Sequence, residues 1–504
     1  MRHEQDKLKE NQMNPEPIKV ERKKKIFSSD SFRVITKFYH PSSEDQIRHI
    51  IARILELSEE EVQQNLEHIM VDFATRHKDI RQVFKRNFTE IKEYLPEGLD
   101  LSEEKMYLIG AFFTHEYSVQ AAAFFNPSIV MHPDQSSLND KHLRFILSFR
   151  STGEGHISSI EFRSGVIDEK NEIRFDKVSR FVETPEVITN PMYDKYIFQL
   201  KLLDMKSMNN VSTEILQDLP ARFSFVELQA AVQKKTHSWY EEPSVLLHET
   251  TENMLWLARS NYQLKFRTDQ RISERIIFPV SENECRGIED ARFVRFCDTN
   301  GEVTYYATYT AYNGFDILPM LLETKDFISF TIRTLNGKAV QNKGMALFPR
   351  KINGKYMMIS RQDGENIFIM SSDNIHFWQE AEILQGPKYP WEFIQIGNCG
   401  SPIETGAGWI LLTHGVGAMR KYCIGAYLLD LKDPTKIIGR LTEPLLSPTE
   451  EEREGYVPNV LYTCGAIIHN DELIIPYAMS DTSSGIAVVS VQDLLARLSA
   501  YRST

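Results

Sequence analysis

Cysteine is scarce in this chain. Five occur among 504 residues, Cys285, Cys297, Cys399, Cys423 and Cys464. The count is odd, no two stand at zinc-ligand spacing, and a dense disulfide framework is excluded. The expectation is reduced thiols in a cytoplasmic protein. Long apolar runs are also missing: none approaches the roughly 20 residues of a membrane span. Met1 to Lys25 is charged and has no apolar stretch, so it does not read as a secretory signal. Excess positive charge is lacking too, with 58 Lys and Arg against 70 Asp and Glu and a formal net charge of -12. Binding to nucleic acid or to an anionic membrane through bulk charge is therefore not expected. There is no metal-binding motif, no phosphate-cradling Gly-rich loop with lysine and serine, and no Gly-x-Ser-x-Gly nucleophile elbow. No cofactor is predicted.

What remains is an ordinary globular composition, 42% hydrophobic and 25% charged, in a chain long enough for a large core. Residues 1–30 are polar, with the cluster Arg22-Lys23-Lys24-Lys25, and read as a flexible tail. Residues 31–119 read as helical. Ile47, Ile50, Ile51, Ile54 and Leu55 recur at three- and four-residue spacing, and Val62, Leu66, Ile69, Val71 and Phe73 continue the theme. Ser58 with Glu61 resembles a capping box. This region is a candidate surface for homo-oligomer formation.

From residue 120 the pattern turns to short apolar runs separated by Asn300-Gly301, Asn313-Gly314, Asn336-Gly337 and Asn353-Gly354, which are hairpin signals. Blade-like units start near Gly287, Lys343, Gly397 and Val457, at spacings of about 56, 54 and 60 residues, near the repeat length of propeller blades. Their central strands are Tyr305–Tyr309, Tyr356–Ser360, Trp409–Thr413 and Leu473–Tyr477. A further unit spans Asn126 to Arg163, with Arg144–Phe149 at its centre. The predicted class is mainly β, a five-bladed β-propeller over residues 120–495, with a partly helical insertion at about 185–240. Residues 243–268 are expected to return to strands through Trp256–Ser260 and complete the first blade, and 496–504 to form a C-terminal tail.

In a propeller, strand ends from all blades converge on one channel, so residues distant in sequence meet there. Asp290, in Gly287-Ile288-Glu289-Asp290-Ala291-Arg292, lies in a loop before the strand-like Phe293–Phe296. Glu404 and Glu452 open later units, and the three acids are candidates for one cavity. Hydrolysis of a glycoside needs two carboxyl groups flanking the bond. Asn126, Arg150, Arg292, Lys343, Arg361, His414 and Asp481 occupy comparable positions, where each also suits a salt bridge or a satisfied buried polar group.

Taken together, the ordered motifs resemble glycoside hydrolase family 130, the β-mannoside phosphorylases and β-1,2-mannosidases. They are Gly287–Arg292, Asn342-Lys343 with Leu347-Phe348-Pro349, Ser401–Thr405 with Gly408-Trp409, His414-Gly415, Leu429-Asp430, Asp433-Pro434, Arg440 and Asn459-Val460. The resemblance covers about residues 120–495 and implies a five-bladed propeller acting on an oligosaccharide. It implies Asp290 as general acid, acting through a mannose hydroxyl, and Asn126, Arg150 and Asp481 as sugar contacts. Lys343, Arg361 and His414 fall where members line the cleavage site. Glu404 stands where phosphorylases tend to carry lysine. A carboxylate repels a phosphate dianion but accepts a proton from water. The resulting expectation is inverting hydrolysis of a short, β-1,2-linked mannoside, with Glu404, helped by Glu452, as base. The alternatives are an inverting phosphorylase that uses inorganic phosphate and releases mannose 1-phosphate, a glycosidase of another family, and a carbohydrate-binding propeller without turnover. The chain departs from the family pattern at Ala291, which replaces a usual proline and is expected to loosen the loop, and in its N-terminal helices and insertion.

Overall fold

In the computed structural model, which describes residues 18–136, 138–188, 191–238 and 245–500, the chain after Ala123 is mainly β. Strands Ala123–Met131, Leu143–Thr152, Ser158–Ile167 and Ile173–Phe175 form a first antiparallel meander. Gly287–Cys297, Val303–Tyr312, Ile317–Thr324 and Ser329–Thr334 form a second. Lys343–Leu347, Tyr356–Arg361, Ile367–Ser372 and Ala381–Gln385 form a third. Gln395–Asn398, Gly408–Val416, Tyr422–Leu429 and Ile437–Arg440 form a fourth. In the fifth, Leu461–Tyr462, Glu472–Met479 and Ser483–Ser490 take their outer strand, Val20–Arg22, from the other end of the chain. The central strand expected for each unit is the second strand of its meander.

These central strands are apolar on both faces because both faces are buried, and side chains alternate between them. Ile146 packs with Phe293 and Tyr305 of the second unit, whereas Phe145 and Leu147 face Ile474 and Val488 of the fifth. Met358 joins Phe296 of the second unit, and Ile359 joins Leu411 of the fourth. Ile410 and Leu412 then meet Leu473 and Ile475. Each unit thus packs against the next, and the fifth against the first. Backbone bonds follow the same circuit, from Ile396 N to Glu365 O (2.9 Å), Tyr422 N to Asn459 O (2.9 Å) and Cys464 N to Pro127 O (2.8 Å).

Three inner strands share one irregularity. Between Phe125 and Ser128, Glu289 and Arg292, and Lys343 and Ala346, the register slips against the partner strand. Each slip adds one residue, and the residue entering the bulge has left-handed backbone: Asn126 (φ 49°), Asp290 (φ 54°) and Gly344 (φ 86°). Bulges of this kind re-aim side chains. The Gly287–Arg292 run is therefore strand rather than the expected loop, and Ala291 is buried in the core.

Four helices, Glu44–Leu55, Glu59–Phe73, Ile80–Glu90 and Glu103–Phe112, make up the N-terminal region. Ser58 and Glu61 form the expected capping box, and Ile47, Ile51, Ile54, Val62 and Leu108 form the core. Val71 is 77% exposed, so the apolar stripe ends before it. Arg33 pins this region to the first unit. Its guanidinium bonds Glu161 (2.9 Å), Ser179 O (2.8 Å) and Ser273 O (2.7 Å) with both charges buried.

Several expected boundaries change. Residues 18–30 are not a free tail: Val20–Arg22 pairs with Ala487–Val489. Val491–Ser499 is a helix with Leu494 and Leu498 in the core. Residues 1–17 and 501–504 of the expected tails lie outside the described residues. The insertion combines the helices Lys195–Asp204, Asn210–Gln217 and Phe225–Ser238 with short strands, and the helix Val245–Arg259 includes the expected strand Trp256–Ser260 up to Arg259. Leu247, Thr251, Met254 and Leu257 are buried at helical spacing, and that period overrides the local strand pattern. The following strand, Tyr262–Lys265, joins the second unit at Ser329–Ile332, not the first.

Arg33→Met should destabilise the protein by about 3–5 kcal/mol, because Glu161 would be left buried without its closest cation. Urea unfolding measures this, and a loss under about 1 kcal/mol would contradict the anchoring role.

Candidate active site

A cavity of about 180 Å³ opens where the inner strands of the units converge, and it gathers Asn126, Arg150, Asp290, Arg292, Lys343, Arg361, His414 and Asp481. All seven expected sugar or cleavage-site residues are there, together with Asp290.

Asp290 is aimed by its bulge. Its Oδ1 accepts from Asn126 Nδ2 (2.6 Å), itself on the equivalent bulge of the first unit, and from Arg150 Nη1 (3.3 Å). Arg150 also donates to Glu289 Oε1 (2.7 Å) and Ser158 Oγ (2.9 Å). Arg292 donates to the Asp290 carbonyl (3.0 Å) and to Tyr462 Oη (2.8 Å). Burial pushes the Asp290 carboxyl up, but Arg150, Arg292, Lys343 and the Asn126 amide outweigh it and hold the group at about 2. Asp481 behaves oppositely. Burial and then the charge of Asp290 push it up to about 6, against Arg150 and Arg420. Two carboxyl groups in one cavity are thus shifted in opposite directions.

His414 is buried between Tyr422 (ring centroids 5.8 Å apart) and Tyr462 (5.0 Å). Burial, then Arg361 and Arg292, hold its imidazole well below the usual range, so it is neutral at pH 7. Its Nε2 lies 3.2 Å from Arg361 Nη1 and accepts from it. Gly397 makes this packing feasible, since a Cβ there would lie 2.3 Å from the imidazole Cε1. Among the described residues, Asn126 Oδ1, Asn398 Oδ1 and the Nε atoms of Arg292 and Arg361 are buried without a hydrogen-bond partner in the protein. Such atoms are costly unless a ligand or water meets them.

Two expected catalytic acids are elsewhere, which corrects their assignment. Glu404 pairs with Trp409, five residues before His414 on the same strand. At about 3.3 Å per residue this places it ~16 Å away. There it forms a two-pronged ion pair with Arg350 (2.9 and 2.7 Å) and borders a separate cavity of about 400 Å³. Glu452 is buried and used structurally. It accepts from Arg22 Nε (2.9 Å), Tyr477 Oη (2.6 Å) and Thr449 N (2.9 Å), tying the N-terminal strand to the fifth unit. The residues missed from sequence include Asn398, Arg420, Tyr422 and Tyr462. Tyr462 follows the Asn459-Val460 motif closely and was within reach of that signal. Arg420 sits in a tight turn with left-handed backbone (φ 57°) that carries no local signature.

No group of His, Cys, Asp and Glu able to hold a metal occurs among the described residues. Another cavity, about 350 Å³ in the helical region, is lined mainly by apolar side chains such as Ile69, Phe73 and Phe84. It lacks the convergence of acids and cations.

Asp481 supplies a check on these electrostatics. Its folded-state pKa lies above the ordinary value, so its contribution to stability is complete at low pH and is lost as pH rises through about 6. Asp481→Asn should therefore gain stability relative to wild type, by about 2–3 kcal/mol, between about pH 4 and about pH 7. Thermal unfolding across that range measures it, and a pH-independent difference would refute the raised pKa.

Residues 246–499 match the sequence pattern of glycoside hydrolase family 130, described as β-1,4-mannooligosaccharide phosphorylase. A 1,2-β-oligomannan phosphorylase of Thermoanaerobacter sp. (strain X514) is 35% identical over 44% of this chain and 75% of its own length. A β-1,2-mannobiose phosphorylase of Listeria innocua is 32% identical over 49% of this chain and 70% of its own. A solved β-1,2-mannobiose phosphorylase from Listeria innocua overlaps at a TM-score of 0.45 and 21% identity, across 76% of this chain and 94% of that one. The chain belongs to glycoside hydrolase family 130, an enzyme family acting on β-mannosides.

Proposed function

We propose that this protein is an inverting β-mannoside phosphorylase. The five units are read as blades of a propeller, with residues 120–495 as the catalytic domain. The observation that carries the reading is the charge of the cavity. Arg150, Arg292, Lys343, Arg361 and Arg420 converge there against only two lining carboxylates, Asp290 and Asp481. A positive, partly buried site with unpartnered guanidinium Nε atoms favours a phosphate anion. Glu404, the main argument for hydrolysis, is paired with Arg350 outside the cavity. The relatives named as phosphorylases support the same choice.

In the proposed reaction a phosphate oxygen bonds to the anomeric carbon of a mannoside, on the face opposite the leaving group. The glycosidic C–O bond breaks, and its electron pair stays with the leaving oxygen, which takes a proton. The products are mannose 1-phosphate of inverted configuration and the shortened sugar. Asp290 is the proton donor, relaying through a mannose hydroxyl. Asn126, Arg150 and Asp481 hold the sugar, while Lys343, Arg361 and Arg292 hold phosphate. The neutral His414 keeps Arg361 directed at the anion. At a pKa of about 2 the free enzyme's Asp290 is ionised, so it must gain a proton before it can give one. Phosphate supplies the means: a dianion held by Arg292 and Lys343 offsets two of the charges that depress the carboxyl.

A second reading, hydrolysis, draws on one observation. Asp481, at about 6, is a carboxyl in the cavity able to take a proton from water.

Turnover of β-1,2-mannobiose should require inorganic phosphate and yield mannose 1-phosphate. Phosphate-independent release of mannose would establish hydrolysis instead. Asp290→Asn should reduce kcat at least ~100-fold. Glu404→Gln, outside the cavity, should leave it within about twofold; a loss as large as that of Asp290→Asn would return Glu404 to the site. Calorimetry in buffers of different ionisation enthalpy should also detect proton uptake when phosphate binds at neutral pH. Its absence would contradict the coupling of phosphate to Asp290.

A further inference from the structure

We infer that a second cavity, between the first and second units, binds a phosphorylated sugar. It measures about 870 Å³ and shares no lining residue with the active cavity. That volume lies within the roughly 300–1,000 Å³ of small-molecule sites. The two cavities lie toward opposite ends of the strands. His132, on the wall of the second, is six residues beyond Asn126 at the end of the strand Ala123–Met131. At about 3.3 Å per residue the separation is ~20 Å. The site is independent of the phosphorolysis proposed above.

Lys177, Arg271 and Arg275 line this cavity, and none of the three forms an ion pair with a carboxylate among the described residues. Arg275 is the anchor. It is 7% exposed, and its guanidinium donates only to main-chain carbonyls, Phe327 O (2.7 Å) and Gln270 O (2.7 Å). Its Nε has no partner. Neutral carbonyls leave the charge of a buried guanidinium uncompensated, which is costly without a counter-ion. Arg275 is also fixed in place. The Phe327 carbonyl that it holds belongs to a left-handed residue (φ 58°), a conformation that a bulky side chain keeps only where its surroundings impose it. His132 adds a neutral donor. Its Nδ1 accepts from the Asp134 amide (2.9 Å), which leaves the ring proton on Nε2.

The wall also carries three carboxylates. Asp134 is engaged by Arg144 (3.4 Å) and the Ser136 amide (2.9 Å). Asp176 accepts from Ser164 Oγ through Oδ2 (2.6 Å), and Asp326 accepts from the Ile328 and Ser329 amides through Oδ1 (2.8 Å each). Neither of these two has a cation as partner among the described residues. A bare anion would be attracted by the three cations and repelled by Asp176 and Asp326. A phosphorylated sugar satisfies both sets: its phosphate takes the cations, and its hydroxyls donate to the carboxylates. Ile272 and Ile328 on the same wall suit the C–H face of a sugar ring.

Calorimetric titration of the full chain with glucose 6-phosphate, mannose 6-phosphate and inorganic phosphate tests this. At least one ester should bind. The double variant Lys177→Ser with Arg271→Ser, at two exposed positions, should weaken that binding at least ~tenfold. Lys343→Ala, in the active cavity, should leave it within about twofold, because the two sites are far apart. Asp176→Ala should weaken the ester at least ~threefold by removing a hydroxyl acceptor. Inorganic phosphate, read as the binding that the double variant removes, should be at least ~tenfold weaker than the ester. Failure of both esters to bind would overturn the inference, as would binding that the double variant leaves intact. Loss of binding in Lys343→Ala would overturn it by placing the ester in the active cavity. Inorganic phosphate bound as tightly as the ester, or an ester indifferent to Asp176→Ala, would overturn the sugar-phosphate assignment. The phosphorolysis reading stands or falls separately, on the phosphate requirement of turnover.

Discussion

Arg150 lies between two neighbouring carboxylates, Glu289 and Asp290, and the rest of the site depends on that pairing. Adjacent acids on one strand, both largely removed from water, repel each other and lose hydration. They are tolerated only where a cation compensates both. Arg150 does this with one nitrogen for each, while Ser158 fixes its third. The guanidinium is planar and forked, so it aligns the carboxylates as well as neutralising them. Lysine at this position would supply charge without that alignment.

The same constraint explains the backbone. Asp290 reaches the cavity because its strand takes one extra residue and a left-handed turn. Asn126 reaches Asp290 from an equivalent bulge in the neighbouring unit. In the third unit the equivalent position is glycine, and the residue before the bulge is Lys343. One structural device, repeated, supplies the acid, the amide that orients it and a cation. The cost of left-handed backbone at Asn126 and Asp290 is sustained by packing on both faces of every unit.

Electrostatically the cavity is a positive enclosure with one deeply ionised carboxylate and one that is half-titrated near pH 6. That imbalance distinguishes the site from an assembly of structural ion pairs. Arg350–Glu404 and Arg22–Glu452 are charge-matched and complete in themselves. Around the cavity the cations outnumber the lining carboxylates, and buried polar atoms stay unpartnered. The proposed phosphorolysis uses both features.

Much of this was legible in the amino-acid order, because the determinants are local. Alternation and Asn-Gly turns marked the central strands and hairpins, and the capping box at Ser58 marked a helix start. The motifs around Asp290, Lys343 and His414 identified the family and contain four of the cavity's residues, Asp290, Arg292, Lys343 and His414. The helix Val245–Arg259 was misread because a short apolar run has no period of its own, and only its burial pattern against neighbouring helices decides it. Glu404 was misplaced because membership of a motif says nothing about which end of a strand a side chain occupies. Five residues along one strand separate Trp409, opposite Glu404, from His414 in the cavity. The sequence by itself thus determined which units form and which chemical groups they carry. Tertiary structure alone decided which charges meet, because the bulges, the circular packing of units and the return of Val20–Arg22 to the last sheet are contacts between segments distant in the chain.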